Sequence, residues 1–234
     1  MRQRLILLAA VCALVMTSAH DAAAGCEDHP EPGVDWSGCT KTRLLLEDED
    51  LHGANFHGAE LAATSFVGSN LTGADLSEAH LDKARFNGAL LTGANLIKAE
   101  FGRAELMGAN LTDAQMEKAE LPRADLSDAV LVGANLEKAE LGRAVLVNAD
   151  LGNVNLRDAY LARADLRGAR LAGADLSGAE FYLADLRGAD LSQATGLAQS
   201  QLVETCGDGT TKLPPDIEPP AAWPCASQGE DVGD

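Results

Sequence analysis

The sequence predicts an all-β solenoid built from coils of four short sides, and three observations carry that prediction. From Leu51 to Leu191 every fifth residue is large and apolar; the 29 sites hold 23 Leu, five Phe (Phe56, Phe66, Phe86, Phe101, Phe181) and Met116. Two places before each site stands a small residue, Ala at 25 of the 29, with Glu49, Thr64, Ser69 and Val154 as the departures. Charged residues recur with a longer period of 20. An amphipathic helix repeats near 3.6 residues and a strand at 2, so a period of five suits neither. Read as one side of a coil, each pentapeptide turns its central Leu and the preceding Ala inward and its other three residues outward. Ala is needed because a narrow tube has no room for two large side chains per side.

The number of sides follows from the longer period. Lys98, Lys118 and Lys138 recur at intervals of 20, as do Glu100, Glu120 and Glu140, and Lys83, Arg103, Arg123, Arg143 and Arg163. Twenty residues is four pentapeptides, so these columns stack one coil above another at about 4.8 Å, the spacing of neighbouring strands. Stacked like charges repel. The Glu column lies between two cationic columns, and mutual neutralisation along one face is the expected reason for the pattern; a history of 20-residue duplication is the rival explanation.

The motif Ala-[Asp/Asn]-Leu, as in Ala74-Asp75-Leu76, Ala94-Asn95-Leu96, Ala109-Asn110-Leu111, Ala134-Asn135-Leu136 and Ala174-Asp175-Leu176, resembles the pentapeptide-repeat proteins. The resemblance implies a right-handed quadrilateral β-helix of about seven coils, a rod roughly 35 Å long at about 4.8 Å per coil. It implies that the Asn and Asp before the Leu serve corner and ladder hydrogen bonds. Gly two places after the Leu (Gly58, Gly73, Gly93, Gly133, Gly173) suits a turn residue of positive φ.

Ahead of the repeats, Met1 to Ala24 reads as a signal peptide. Arg2 and Arg4 precede the apolar run Leu5 to Met16, and Ala22-Ala23-Ala24 offers a small-residue cleavage site. A lipoprotein with Cys26 as the modified residue is the rival, although no large aliphatic residue stands three before it. Without Cys12, which falls in the signal segment, the chain keeps Cys26, Cys39, Cys206 and Cys225, an even set that suits an oxidising compartment. Three pairings are open. Cys26 with Cys39 and Cys206 with Cys225 is favoured, because each pair flanks one end of the solenoid with both members outside the repeats.

Residues 25–50 are expected to form the first cap, since an open end exposes both an apolar core and unpaired backbone. Trp36 is the expected lid, and Leu46 falls in phase with the repeat. The segment Pro32 to Cys39 resembles a lead-in of some secreted bacterial members of the family. The β-helix is assigned to 51–195 and a second cap to 196–225. Within that cap Leu197 to Thr205 can form a short helix, with Leu202 and Val203 facing the last coil and no good N-cap at Ala198. The Pro-rich run that follows favours an extended strap that sets Trp223 over the terminal core. Residues 226–234 are expected to be a disordered tail.

The net charge of −18 is unevenly spread: 51–195 carry about −7, and 25–50 and 196–234 about −6 each. Acidic rods of this family are associated with DNA mimicry and binding of type II topoisomerases, which asks for continuous acidic faces. Here cationic columns interrupt one face, and export separates the rod from any topoisomerase. No basic patch points to direct nucleic-acid binding and no apolar run is long enough to span a membrane. No recurring nucleophile–base pair, metal-ligand spacing or cofactor motif is present, so no enzyme activity, metal or cofactor is expected. The expected function is an exported scaffold or protein-binding module, with a protein partner, as a monomer or a cap-mediated oligomer, in the periplasm or outside the cell. The alternatives are a binder of cations or cell-envelope polymers through the acidic columns, and a DNA-mimicking topoisomerase inhibitor if the chain stays in the cytoplasm. The candidate surface is the ladder of Glu100, Glu120, Glu140, Arg103, Arg123 and Arg143.

Overall fold

The computed structural model describes residues 25–225; the readings of 1–24 as a signal peptide and of 226–234 as a tail lie outside them. The described chain winds into a β-helix solenoid. Every fifth residue from Asp35 to Asp175 forms a parallel bridge with the residue 20 places ahead, the first joining Asp35 to Asn55 and the last Asp175 to Thr195. Each turn of chain therefore closes after 20 residues and carries four bridges. The bridges are one residue long because a tight turn follows each of them, so no conventional strand develops.

One pentapeptide shows how its backbone is satisfied. The Ala54 N–H donates to the Leu51 carbonyl across the turn at 3.1 Å, the Leu51 N–H to Asn70 of the next coil at 2.8 Å, and the Asn55 N–H to Val34 of the previous coil at 2.8 Å. This pattern recurs along the rod, and it is what permits backbone this irregular to enclose a dry core. Asn and Asp at the bridge position add a local turn bond: Asp75 Oδ1 accepts from the Ser77 N–H at 2.9 Å and Asn135 Oδ1 from the Glu137 N–H at 3.2 Å. The same side chains reach between coils, Asn95 Nδ2 donating to Asp75 Oδ1 at 3.0 Å and Asn155 Nδ2 to Asn135 Oδ1 at 2.9 Å.

The interior matches the predicted division of roles. All 29 large apolar residues from Leu51 to Leu191 are at most 1% exposed. At one end of the core the aromatic rings are continuous: Trp36 meets Phe56 edge-on at 5.8 Å, Phe56 meets Phe66 at 6.0 Å, and Phe66 stacks on Phe86 at 4.8 Å.

The bridge ladder starts earlier than the sequence reading placed it. It begins at Asp35, within the segment 25–50 assigned to the first cap. Trp36, rather than lying over a coil as a lid, fills the large apolar position of the first coil and is 1% exposed. Cys39 sits in the ladder too, at a buried small-residue position, and not outside the repeats. The period was hidden by Lys41, which stands where a Leu is expected and whose Nζ lies 4.3 Å from the centre of the Trp36 ring. At an end coil a long side chain can bend out over an aromatic face.

Thr64 and Ser69 acquire a reason here. In the first coil the turns at 41–44 and 46–49 are open, and a hydroxyl from the next coil fills each gap. Thr64 Oγ1 donates to the Lys41 carbonyl at 2.7 Å and accepts from the Leu44 N–H at 3.3 Å. Ser69 Oγ donates to the Leu46 carbonyl and accepts from the Glu49 N–H at 3.0 Å. Thr64→Val keeps the shape and removes both bonds, stranding two backbone groups; a loss of about 1–3 kcal/mol in urea unfolding is expected. Thr92→Val, on the outward face, should cost less than about 0.5 kcal/mol.

At the other end the register slips. Asp185 bridges Cys206 and Asp190 bridges Lys212, separations of 21 and 22 residues. The predicted helix over 197–205 is only a single 3-10 turn, Gln199–Leu202. Its start lacks a side-chain cap at Ala198, and Gln201 compensates: its Oε1 accepts from the Ala198 N–H at 2.6 Å while its Nε2 donates to the Leu176 and Ala179 carbonyls. Leu202 closes the core at 0% exposure, but Val203, expected beside it, is 62% exposed because so short a turn presents one inward position. Trp223 packs partly buried against the core and donates from Nε1 to the Thr205 carbonyl at 2.9 Å. Gly207 makes room for it, since a Cβ there would lie 2.4 Å from the ring. The sulfurs of Cys26 and Cys39, and of Cys206 and Cys225, are paired at bonding distance, with Cα separations of 5.6 and 5.5 Å that suit disulfides.

The last coil is also held by charge. Lys212 Nζ donates to Asp190 Oδ2 at 2.7 Å, and Ser192 donates to Asp190 Oδ1 from both Oγ and the backbone. Lys212 first, then Ser192, brings the Asp190 carboxyl down to about 2 from its ordinary 3.8. A depressed folded-state value stabilises above the unfolded pKa and is lost as pH falls through the folded one. The terminal coil should therefore lose about 1 kcal/mol between roughly pH 4 and 2, a figure reduced for the solvent exposure of both partners. Asp190→Asn should flatten that part of an acid-unfolding curve.

Candidate functional site

The outward face is where function must lie, because the interior is filled by packing. The structure brings the predicted ladder residues into true columns. Glu100, Glu120 and Glu140 are successive bridge partners, one above another. Arg103, Arg123 and Arg143 stand on a neighbouring corner, their N–H groups donating to the carbonyls of Pro122, Gly142 and Ala162 in the next coil.

The expected neutralisation between those columns is not formed. Glu100 pairs with His80, Nδ1 to Oε2 at 2.8 Å. Among the described residues, Glu120, Glu140, Arg103, Arg123 and Arg143 make no ion pair, although other cations of the rod do. Burial, followed by the charges of Glu140 and Glu100, raises the Glu120 carboxyl above its ordinary value. Pairs form instead where opposite charges share one column: Lys98 over Glu78 at 2.7 Å, Arg170 over Asp150 at 2.9 Å, Glu105 over Arg85 at 3.4 Å. Other pairs are local, as between Arg167 and Asp165 at 2.7 Å and between Lys138 and Glu137 at 3.1 Å; the Glu column and the Arg corner take part in neither arrangement with each other.

The turn positions, or corners, fall into four series with a step of 20, which differ in a way the charges alone conceal. From Gly33 to Gly188 each of these positions has a positive φ. At the corner through Gly33, Gly53 and Gly73, and at that through Gly68, Gly88 and Gly108, the described positive-φ residues are all Gly, Asp or Asn, the types that tolerate this conformation. The corner through Arg43, Ala63, Lys83, Arg103, Arg123, Arg143, Arg163 and Leu183 holds none of those types in eight coils, with φ from 56° to 60°. Each non-Gly residue in this region costs on the order of 1 kcal/mol. Six of the eight are cationic.

Toward the end of this corner lies a shallow depression of about 500 Å³, lined by Pro122, Arg123, Gly142, Arg143, Tyr160, Ala162, Arg163 and Tyr182. Tyr160 occupies the column that holds Glu100, Glu120 and Glu140 lower down. Its ring lies over Gly142, where an added Cβ would sit 3.1 Å from Cε1. The sequence reading singled out the arginines but missed Tyr160 and Tyr182. The break in the Glu column at position 160 was the available signal.

Taken together, 20-residue coils, one-residue bridges and an interior of stacked Leu, Phe and Ala, broken only near the ends by buried hydroxyls such as Thr64 and Ser69, define a β-helical repeat protein. The chain belongs to the pentapeptide-repeat family: the model for pentapeptide repeats matches residues 50–88, 84–121, 124–161 and 155–193 in 8 copies. Among solved structures it is similar to HetL, a pentapeptide repeat protein involved in heterocyst differentiation regulation from the cyanobacterium Nostoc. Identity is 29% with a TM-score of 0.57, over 74% of this chain and 84% of that one. It is also similar to QnrB1, a plasmid-mediated fluoroquinolone resistance protein, at 18% identity and TM-score 0.50, over 78% of this chain and 92% of that one. The second likeness concerns the fold alone. No curated protein matches the chain. Among the described residues, no helix is long and apolar enough to cross a membrane.

Proposed function

We propose that the protein is an exported, non-catalytic scaffold whose rigid rod presents ordered side-chain columns to a partner protein. The rod is a right-handed, four-sided helix of about eight coils between 35 and 195, one more than the repeats from 51 onward supply, tied at each end by a disulfide. The observation that carries this reading is the complete use of the interior for packing beside outward columns in strict register, from 35 to 195. A convex rod offers little of the concave, enclosed space that catalysis on a small molecule needs. The two cysteine pairs support an oxidising compartment, as does the signal-like segment 1–24.

The topoisomerase reading is the weaker one. Cations stacked on one corner break the acidic surface that mimicry of DNA requires. Two assays test the choice together. Alkaline phosphatase fused after residue 234 of the full-length chain should be active in a bacterial host, as happens only beyond the cytoplasmic membrane. The purified protein should leave DNA supercoiling by a type II topoisomerase unchanged. An inactive fusion together with inhibited supercoiling would overturn the proposal in favour of the DNA-mimic reading.

A further inference from the structure

We propose that the depression between Tyr160, Tyr182 and the arginines of the Gly-free corner binds an acidic polysaccharide, one carrying a carboxylate on each sugar. Three features point there. Arg123, Arg143 and Arg163 rise one per coil without an ion pair among the described residues, although acidic residues outnumber basic ones two to one in the chain, 36 to 18. Two tyrosines flank them at 45% and 52% exposure, with the Tyr160 ring laid over Gly142. No carboxylate lines the depression, whereas the same groove lower down, along Lys83, Arg103 and Arg123, is lined by Asp82.

The chemistry fits a linear polymer of anionic rings. The guanidinium groups offer forked donors to carboxylates, and the exposed tyrosine faces suit the apolar face of a sugar. The column advances about 4.8 Å per charge, close to the advance of one sugar along such a chain. An extended acidic peptide brings carboxylates but no apolar ring face to lay on the two exposed tyrosines. Duplex DNA carries one charge per roughly 3.4 Å on each strand and falls out of step with the column. The corner arginines also sit at positive φ where Gly is easier, so the backbone gains nothing from them.

Affinity electrophoresis of the full-length protein through a gel containing polygalacturonate at physiological ionic strength tests the proposal. Mobility should fall in that gel and not in one containing neutral dextran, and added salt should weaken the effect. The triple variant Arg123→Gly, Arg143→Gly, Arg163→Gly keeps the corner conformation and should bind about tenfold more weakly, as expected for three exposed charge pairs. Tyr160→Ala should also weaken binding. The matching triple on the next corner, Lys98→Gly, Lys118→Gly, Lys138→Gly, should leave it unchanged. No retardation by polygalacturonate, equal loss from both triples, or tighter binding of poly-glutamate or oligothymidylate would overturn the proposal.

Discussion

Leu136→Lys is expected to cost more than about 4 kcal/mol and to leave the chain largely unfolded at ambient temperature. Leu136 is fully buried in the middle of the solenoid, with coils above and below it. Its side chain shares a narrow interior with Leu and Ala neighbours on every side. An ammonium group placed there meets only apolar side chains, and a charge moved into so apolar a site is among the largest single-residue penalties. Each coil is also a required neighbour of two others, so a local defect in a repeat array spreads. Glu137→Lys, one residue along, is the control. Among the described residues that side chain forms one ion pair, with exposed Lys138 at 3.1 Å, and the change should stay within about 1 kcal/mol. Far-UV circular dichroism with urea titration separates the two. Similar losses from both would mean that the inward and outward positions are misassigned.

Phe86→Ala carries the second large expected effect, about 3–5 kcal/mol. Phe86 stacks on Phe66 with centroids 4.8 Å and planes 10° apart, and it meets Phe101 at 5.7 Å. Removal creates a cavity between coils whose spacing is pinned by backbone bonds, so the walls have little freedom to collapse. The lost ring contacts add to the lost burial. Phe86→Leu, which restores the shape found at most other sites, should recover more than half of the loss. Urea midpoints for the two variants check this. Equal costs for Ala and Leu would show that the rings are not held as a continuous stack.

The repeat was legible because a strict period of five leaves no other way to bury one Leu and one Ala in each pentapeptide. The 20-residue coil was legible through the Lys, Glu and Arg columns, and the bridges fall at that interval. The ends were harder to read. Leu46 was seen to be in phase, but Lys41 breaks the apolar pattern before it and hid that Trp36 and Cys39 already occupy their inward places. Thr64 and Ser69 look like imperfect alanines until the open turns at 41–44 and 46–49 are seen. The charge pattern misled for a different reason. Glu100 and Arg103 are close along the chain, but they stand in different columns and do not meet; Glu100 pairs instead with His80, 20 residues away in its own column. Val203 was read from helical periodicity, which a single 3-10 turn does not sustain.

The central claim, an exported solenoid closed by a disulfide at each end, is tested most directly by the intact mass of the protein from its native host, measured before and after reduction. The account predicts a chain that begins at or near Gly25 and gains four hydrogens on reduction, two for each of the pairs Cys26–Cys39 and Cys206–Cys225. A full-length chain with free thiols, unchanged in mass by reduction, would contradict it.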